Sequence, residues 1–272
     1  MRIGVIGHMG IVGSAVRHGL ERIGHTVIGC DPAAPATRIK DVIDTEVVFV
    51  CVPTPADFDG SCDTSIVEDT IDDLDELGYA GVVAIKSTIT PGTSQSLWRD
   101  YERRLRIAFV PEFLRERAAF VDFYEHHDVC IIGVQGEHAD QDFDVIKRAH
   151  GSLPRHVERM SATEAELAKY FSNLFNALRV VFACEFAEVA KVWGADYQTI
   201  KNALVKRSGI PDVYLDVNDR FRGFGGVCLP KDTRAFATMV DTLGLSERLK
   251  IFRVIVDENA KLEIKTPDGM RP

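Results

Sequence analysis

Short apolar runs separated by polar, glycine-punctuated stretches recur along the first half of the chain: Arg2 to Gly7, Thr26 to Cys30, Val47 to Val52, Gly81 to Ile85, Ile107 to Val110 and Val129 to Val134. Near-continuous apolar runs of this length are the pattern of strands buried on both faces of a parallel sheet. Between the first two, helical spacing of apolar positions predicts a helix that runs to about Ile23 and is ended by Gly24-His25. Asp59-Gly60 predicts a turn, and Asp63 to Leu77 an acidic amphipathic helix with a solvated charged face. Together these elements predict an α/β fold, a Rossmann-like doubly wound parallel sheet completed by the sixth strand.

The second half has a different pattern. Ser161-Ala162-Thr163-Glu164 has the form of a capping box, and neither glycine nor proline follows until after Trp193. A helix of that span is about 45 Å long at about 1.5 Å per residue. Leu167, Phe171, Leu174, Leu178 and Phe182 fall on one stripe of it, and Lys169 and Asn173 on the opposite side. Further helices are predicted at Asp196 to Leu204, Asp232 to Leu243 and Ser246 to Ile264, with a loop from Lys206 to Arg222. The expected organisation is a sheet domain over residues 1–155, then a long central helix and a smaller all-α domain over 156–272.

Composition narrows the classes of function. In 272 residues, 46% hydrophobic and 27% charged, there is material for two ordinary globular domains. A net charge of -9 argues against nucleic-acid binding, which needs a basic surface. An anionic ligand would need local cations, for which Arg115, Arg117, Lys206, Arg207, Arg220 and Arg222 are candidates. The chain enters its first strand directly, without a signal-like leader, and no run is long enough to span a membrane, so a cytoplasmic location is expected. The six cysteines lack Cys-x-x-Cys spacing, which predicts reduced thiols and no metal site.

Two stretches carry chemistry. The first is strand, Gly7-His8-Met9-Gly10-Ile11-Val12-Gly13, helix, second strand and Asp31, the order of a dinucleotide-binding βαβ unit. Gly7, Gly10, Ile11 and Val12 would bring a pyrophosphate to the helix N-terminus, and Asp31 would bind the ribose hydroxyls, selecting NAD over NADP. Two residues, not one, separate the first two glycines, which predicts an unusual phosphate turn. The second stretch is Phe224-Gly225-Gly226-Val227-Cys228-Leu229-Pro230-Lys231-Asp232, a thiol after a glycine pair with an ammonium and a carboxylate close behind. On its own it reads equally as a turn with a small buried cysteine.

Gly-Phe-Gly-Gly-x-Cys-x-x-Lys-Asp, met by Gly223 to Asp232, resembles the active-site signature of the UDP-glucose/GDP-mannose dehydrogenase family. Val52-Pro53-Thr54-Pro55, Ser87-Thr88-Ile89-Thr90-Pro91-Gly92-Thr93 and Pro111-Glu112-Phe113-Leu114-Arg115-Glu116 are similar to further family motifs, and they follow the third, fourth and fifth strands. The resemblance implies oxidation of a nucleotide sugar, UDP-glucose foremost, to a uronic acid by two hydride transfers to NAD through a cysteine-bound intermediate. It implies Cys228 as nucleophile, Lys169 stabilising negative oxygen, Asp232 assisting removal of the alcohol proton, Glu112 as base for hydrolysis, and Thr88 and Asn173 holding water. Pro53, Thr54, Thr88 and Lys231 would line the cofactor, and Phe113, Leu114, Arg115, Glu116, Lys169, Asn173, Arg207, Phe224, Gly225 and Gly226 the substrate. It further implies a homodimer through the central helix, and a third domain where this chain stops, at Pro272.

The same residues admit plainer readings: Thr88 as a helix cap, Glu112 and Glu116 as helix-start carboxylates, Lys169 and Asn173 as an exposed pair. Two other functions stay open, a two-electron dehydrogenase of a smaller hydroxy acid or sugar, and a non-catalytic NAD-binding protein.

Overall fold

The computed structural model describes residues 1–34, 36–101, 104–217 and 222–262. Arg220 and the predicted helix end at Ile264 lie outside the described residues. The chain forms two compact units, the first of Met1–Pro55 and Cys62–Lys169, the second of Ala56–Ser61 and the chain from Tyr170 on.

The first unit is built on a sheet of β1 (Arg2–Ile6), β2 (Thr26–Cys30), β3 (Val47–Val50), β4 (Val82–Ile85), β5 (Arg106–Phe109), β6 (Val129–Val134) and β7 (His156–Ser161), in the order β2-β1-β3-β4-β5-β6-β7. Every residue of β3 and β4 is buried, and the alternation of side chains shows why. Val47, Phe49, Val82 and Ala84 enter a core on one face, and Val48, Val50, Val83 and Ile85 a core on the other. Each large side chain fully buried this way stabilises the fold by about 1.5–3 kcal/mol.

Two expectations about the sheet are corrected. It has a seventh strand, because β7 (His-Val-Glu-Arg-Met-Ser) is largely exposed and carries no apolar run that would mark it. It is also not wholly parallel: β6 runs antiparallel to β5, while the other pairs are parallel. The connection between β5 and β6 carries the six-residue α4 (Ala119–Tyr124) and not a full crossover helix.

The predicted helices become α1 (Ile11–Arg22) and α2 (Ser65–Glu76), and α3 (Thr93–Asp100) and α5 (Ala139–His150) join them. The start of α3 has no side-chain cap of its own, since Gly92 occupies that position at φ 97°. Buried Glu166 supplies the cap instead, accepting hydrogen bonds from the amides of Gly92 (2.5 Å) and Ser94 (2.8 Å).

Glu166 stands on α6 (Ala162–Val192), a helix of 31 residues that runs from the first unit into the second. The capping box forms: the Ser161 amide and hydroxyl donate to Glu164 at 2.8 and 2.7 Å, and the Glu164 amide donates to Ser161 Oγ at 3.3 Å. The burial of its faces overturns one plain reading. Lys169 and Asn173 are buried, while Leu167, Phe171 and Phe182 are exposed at 42%, 73% and 57%.

The second unit adds α7 (Tyr197–Leu204), α8 (Cys228–Thr242) and α9 (Ile251–Leu262), around a core that includes Ala177, Val180, Val181, Cys184, Phe224 and Ile255. Helix α8 begins at Cys228 and not at Asp232, since Pro230 in a first turn lacks only an amide that would be unpaired there anyway. Helix α9 starts later than Ser246, whose hydroxyl turns back to Asp241. Among the described residues no helix is long and apolar enough to cross a membrane.

Removing the borrowed cap should be measurable. Glu166→Ala is expected to lower stability by about 1–3 kcal/mol, the range for buried donors left unpaired. Urea unfolding followed through Trp98 on α3 checks this, and an unchanged midpoint would contradict the assignment.

Candidate active site

Steric demand explains the glycine turn. Gly7 sits at φ 82°, and a Cβ there would lie 2.4 Å from the carbonyl oxygen of Cys51. A Cβ on Gly13 would lie 2.2 Å from the oxygen of Gly7. Gly10 occupies the N-cap of α1 without a side chain, which leaves the helix N-terminus open to an anion. Asp31 accepts from the amides of Met9 (3.0 Å) and Ala33 (2.8 Å), tying the end of β2 to the turn. The extra residue in the spacing is absorbed by His8, whose buried ring packs over Gly29 so closely that a Cβ there would lie 2.6 Å from it. Met9 and Ile11 are exposed at the turn, and Val12 packs against the sheet core.

The tips of β3 and β4 meet as expected of parallel strands. The Ser87 hydroxyl donates to the carbonyls of Val52 (2.7 Å) and Val50 (3.3 Å), and Pro53, exposed, and Thr54, buried, follow directly. Thr88 is half-buried, with its carbonyl accepting from Cys62 Sγ at 3.3 Å, and it caps no helix because Gly92 holds that place.

Glu112 is buried beyond the end of β5. Its Oε2 accepts from Lys86 Nζ at 2.8 Å and its Oε1 from the Phe113 amide at 3.2 Å, while Lys169 Nζ donates to its main-chain oxygen at 2.5 Å. The Lys169 ammonium also stands 5.7 Å from the centre of the half-buried Phe113 ring. Burial pushes the Glu112 carboxyl up, but the charges of Lys86 and His127 and the hydrogen bonds outweigh it and hold the group below its ordinary value of 4.5. Lys86 answers in kind: burial lowers it, and Glu112 raises it above its ordinary value. Lys86 was missed from the sequence, where a charged residue directly after four buried strand positions was the available signal.

The neighbouring motif residues scatter. Leu114 packs on the core, Glu116 begins an exposed turn, and the Arg115 guanidinium pairs with Asp122 through Nε (2.9 Å) and Nη2 (2.5 Å). Arg117, Lys206 and Arg207 are exposed, and Arg222 pairs with Glu188.

In the second unit, Asp232 is fully buried on α8. Asn173 Nδ2 donates to its Oδ2 at 2.6 Å, and Lys231 Nζ lies 2.7 Å from its Oδ1. Of the six cysteines, none in a disulfide, Cys228 is the exposed one, at the first residue of α8. The segment before it is pinned from α9. Buried Asn259 accepts from the Phe224 amide at 2.5 Å and donates to its carbonyl at 3.0 Å, as a strand partner would. Gly225 is half-buried and Gly226, at φ 80°, is exposed. Nothing in the spacing of α9 singled out Asn259.

A glycine turn on a helix N-terminus, at the carboxyl ends of parallel strands and with an acidic residue closing β2, defines the first unit as a dinucleotide-binding fold. Residues 34–150 match the UDP-glucose/GDP-mannose dehydrogenase family, NAD binding domain, and residues 163–261 match the central domain of that family. The chain belongs to the UDP-glucose/GDP-mannose dehydrogenase family. It is 32% identical to a UDP-glucose 6-dehydrogenase of Pseudomonas aeruginosa over 83% of this chain and 51% of that one. A GDP-mannose 6-dehydrogenase of the same organism is 28% identical over 86% of this chain and 63% of its own. The structure of a UDP-glucose dehydrogenase from Pyrobaculum islandicum superimposes with a TM-score of 0.83 at 28% identity, covering 96% of this chain and 68% of that one. The chain thus spans about half the length of the first of these relatives.

Because the Gly13 contact is with backbone, Gly13→Ala is expected to weaken NAD binding at least tenfold while the fold persists. Titration calorimetry with NAD measures this, and an unchanged affinity would contradict the role given to the turn.

Proposed function

We propose that this chain oxidises a nucleotide sugar, UDP-glucose foremost, to the uronic acid with NAD, by way of a thiohemiacetal and a thioester on Cys228. The observation that carries the proposal is the placement of Cys228, the exposed thiol at the first residue of α8, ahead of a buried Asp232 held by Asn173. Amides and dipole at a helix start favour negative charge, which suits a thiolate nucleophile. The relatives named as a UDP-glucose 6-dehydrogenase and a GDP-mannose 6-dehydrogenase support a nucleotide sugar as the substrate class.

Bound NAD would accept a hydride in each oxidation. Asp232, through water, takes the proton of the sugar hydroxyl. Cys228 then adds to the aldehyde carbon, which keeps the aldehyde from escaping and leaves a carbon that still bears a hydride. Lys169, buried and anchored on the Glu112 carbonyl, offsets negative charge developing on oxygen. Glu112 takes a proton from the water that attacks the thioester, with Thr88 and Asn173 orienting that water. Gly7, Gly10, Ile11, Val12, Asp31, Pro53, Thr54 and Lys231 hold the cofactor. Phe113, Leu114, Arg115, Glu116, Arg207, Phe224, Gly225 and Gly226 take the substrate role, Arg115 only after leaving Asp122.

A homodimer through α6 belongs to the same reading. Phe171, Phe175, Phe182, Phe186 and Val189 are exposed along the helix, a row of apolar side chains suited to burial against a second copy. Reduced thiols suit the cytoplasm, where a uronic acid would serve polysaccharide biosynthesis.

Incubation with NAD and UDP-glucose, GDP-mannose or UDP-N-acetylmannosamine tests the substrate. NADH is expected with UDP-glucose above the others, and a clear preference for another sugar nucleotide would overturn that choice. Cys228→Ser should bind the sugar nucleotide and release no uronate, and full turnover by it would remove the covalent step. Lys169→Ala should slow turnover by about 10²–10³-fold, the scale for losing one oxyanion partner.

A further inference from the structure

Lys86 has no part in the steps above, yet its surroundings are those of a functional group. It follows β4 directly, its side chain is 1% exposed, and its ammonium stands 5.5 Å from the centre of the Phe49 ring and 5.8 Å from that of Phe123. In this apolar shell its polar partners are Glu112 Oε2 at 2.8 Å and the Val110 carbonyl at 3.4 Å. A buried ion pair of this kind is weak support for stability, since desolvating both charges offsets much of their attraction. What it does is fix the state and aim of Glu112.

We infer that Lys86 is a positioning residue that keeps Glu112 ionised and oriented, and so sets the pH above which the hydrolysis step runs. This rests on the reading of Glu112 as the base. In that step the water oxygen bonds to the thioester carbon and its proton passes to Glu112. The C–S bond then breaks, and the Cys228 thiolate leaves with the electron pair.

The groups packed around the pair come from several elements. Lys169 on α6 reaches the Glu112 carbonyl, whereas Lys86 reaches the carboxylate. His127, after α4, faces Glu112, and its ring centre lies 5.8 Å from that of His150 on α5. Burial pushes both imidazoles below 6.5, so near pH 7 Lys86 is the main charge opposing the desolvation of Glu112, with His127 adding to it as it protonates at lower pH. Cys51 after β3 and Cys130 on β6 stay neutral thiols, pushed up to about 12 by burial. Without Lys86, burial would raise the Glu112 carboxyl, and a higher pH would be needed to ionise it.

The test titrates Glu112 directly in the full chain by carboxyl carbon-13 NMR, alongside the pH profile of uronate release. In Lys86→Met the Glu112 midpoint should rise by at least one pH unit, and the acid limb of kcat should move with it while KM for the sugar nucleotide holds. Lys86→Arg should restore both. An unmoved midpoint overturns the inference. A midpoint that moves while the acid limb stays put supports the hold of Lys86 on Glu112 and overturns Glu112 as the base. Should Lys86→Met fail to fold, the double variant K86M/E112Q, which has no lone buried charge, is expected to regain native circular dichroism. A double variant that stays unfolded overturns the inference, because Lys86 would then serve the fold alone.

Discussion

Helix α6 buries three polar side chains, Glu166, Lys169 and Asn173, among its apolar ones, and the placement of the reactive groups depends on them. Glu166, Lys169 and Asn173 follow each other at three and four residues, so they share one face, and that face is the buried one. Burying an amide, an ammonium or a carboxylate without partners is costly, and each of the three has a specific one: the α3 amides for Glu166, the Glu112 carbonyl for Lys169, Asp232 for Asn173. A change in the phase of the helix would break all three pairings at once. Within the first unit Glu166 and Lys169 thereby fix the rotation of the helix, and within the second Asn173 does.

A second constraint acts beneath the carboxyl ends of the strands. Glu112 is held from three directions, by Lys86, by the Phe113 amide and, at its carbonyl, by Lys169. Its carboxylate form contributes stability above its unfolded value near 4.5, and that contribution is lost as pH falls through its lower value in the fold. The ion pair therefore links the acid limit of the fold to the acid limit of the proposed hydrolysis. In the second unit Asn259 does for the Phe224 backbone what a strand partner would, and it sets the path of the chain into the helix that Cys228 opens.

The parts legible in the sequence are those governed by local rules. Four-residue apolar runs such as Val47–Val50 and Val82–Ile85 identified strands, Gly7 and Gly13 the dinucleotide turn, and Ser161 with Glu164 the start of α6. Strand β7 went unread because an exposed edge strand needs no apolar side, and α3 because it buries only Ser94 and Leu97. The reversed direction of β6 depends on tertiary pairing, which no local pattern encodes. The same holds for the site. Cys228, Glu112 and Asp232 were readable as motif residues, whereas Lys86 and Asn259 owe their roles to partners 26 and 35 positions away.

Family membership and fold bring the proposed reaction within reach, and its defining feature is that one active site removes four electrons from one carbon. The most direct measurement is the moles of NADH formed per mole of UDP-glucose consumed, with purified protein and excess NAD. A ratio of about two is expected, since the thiohemiacetal on Cys228 yields a second hydride before hydrolysis. A ratio of about one, with an aldehyde as product, would contradict it.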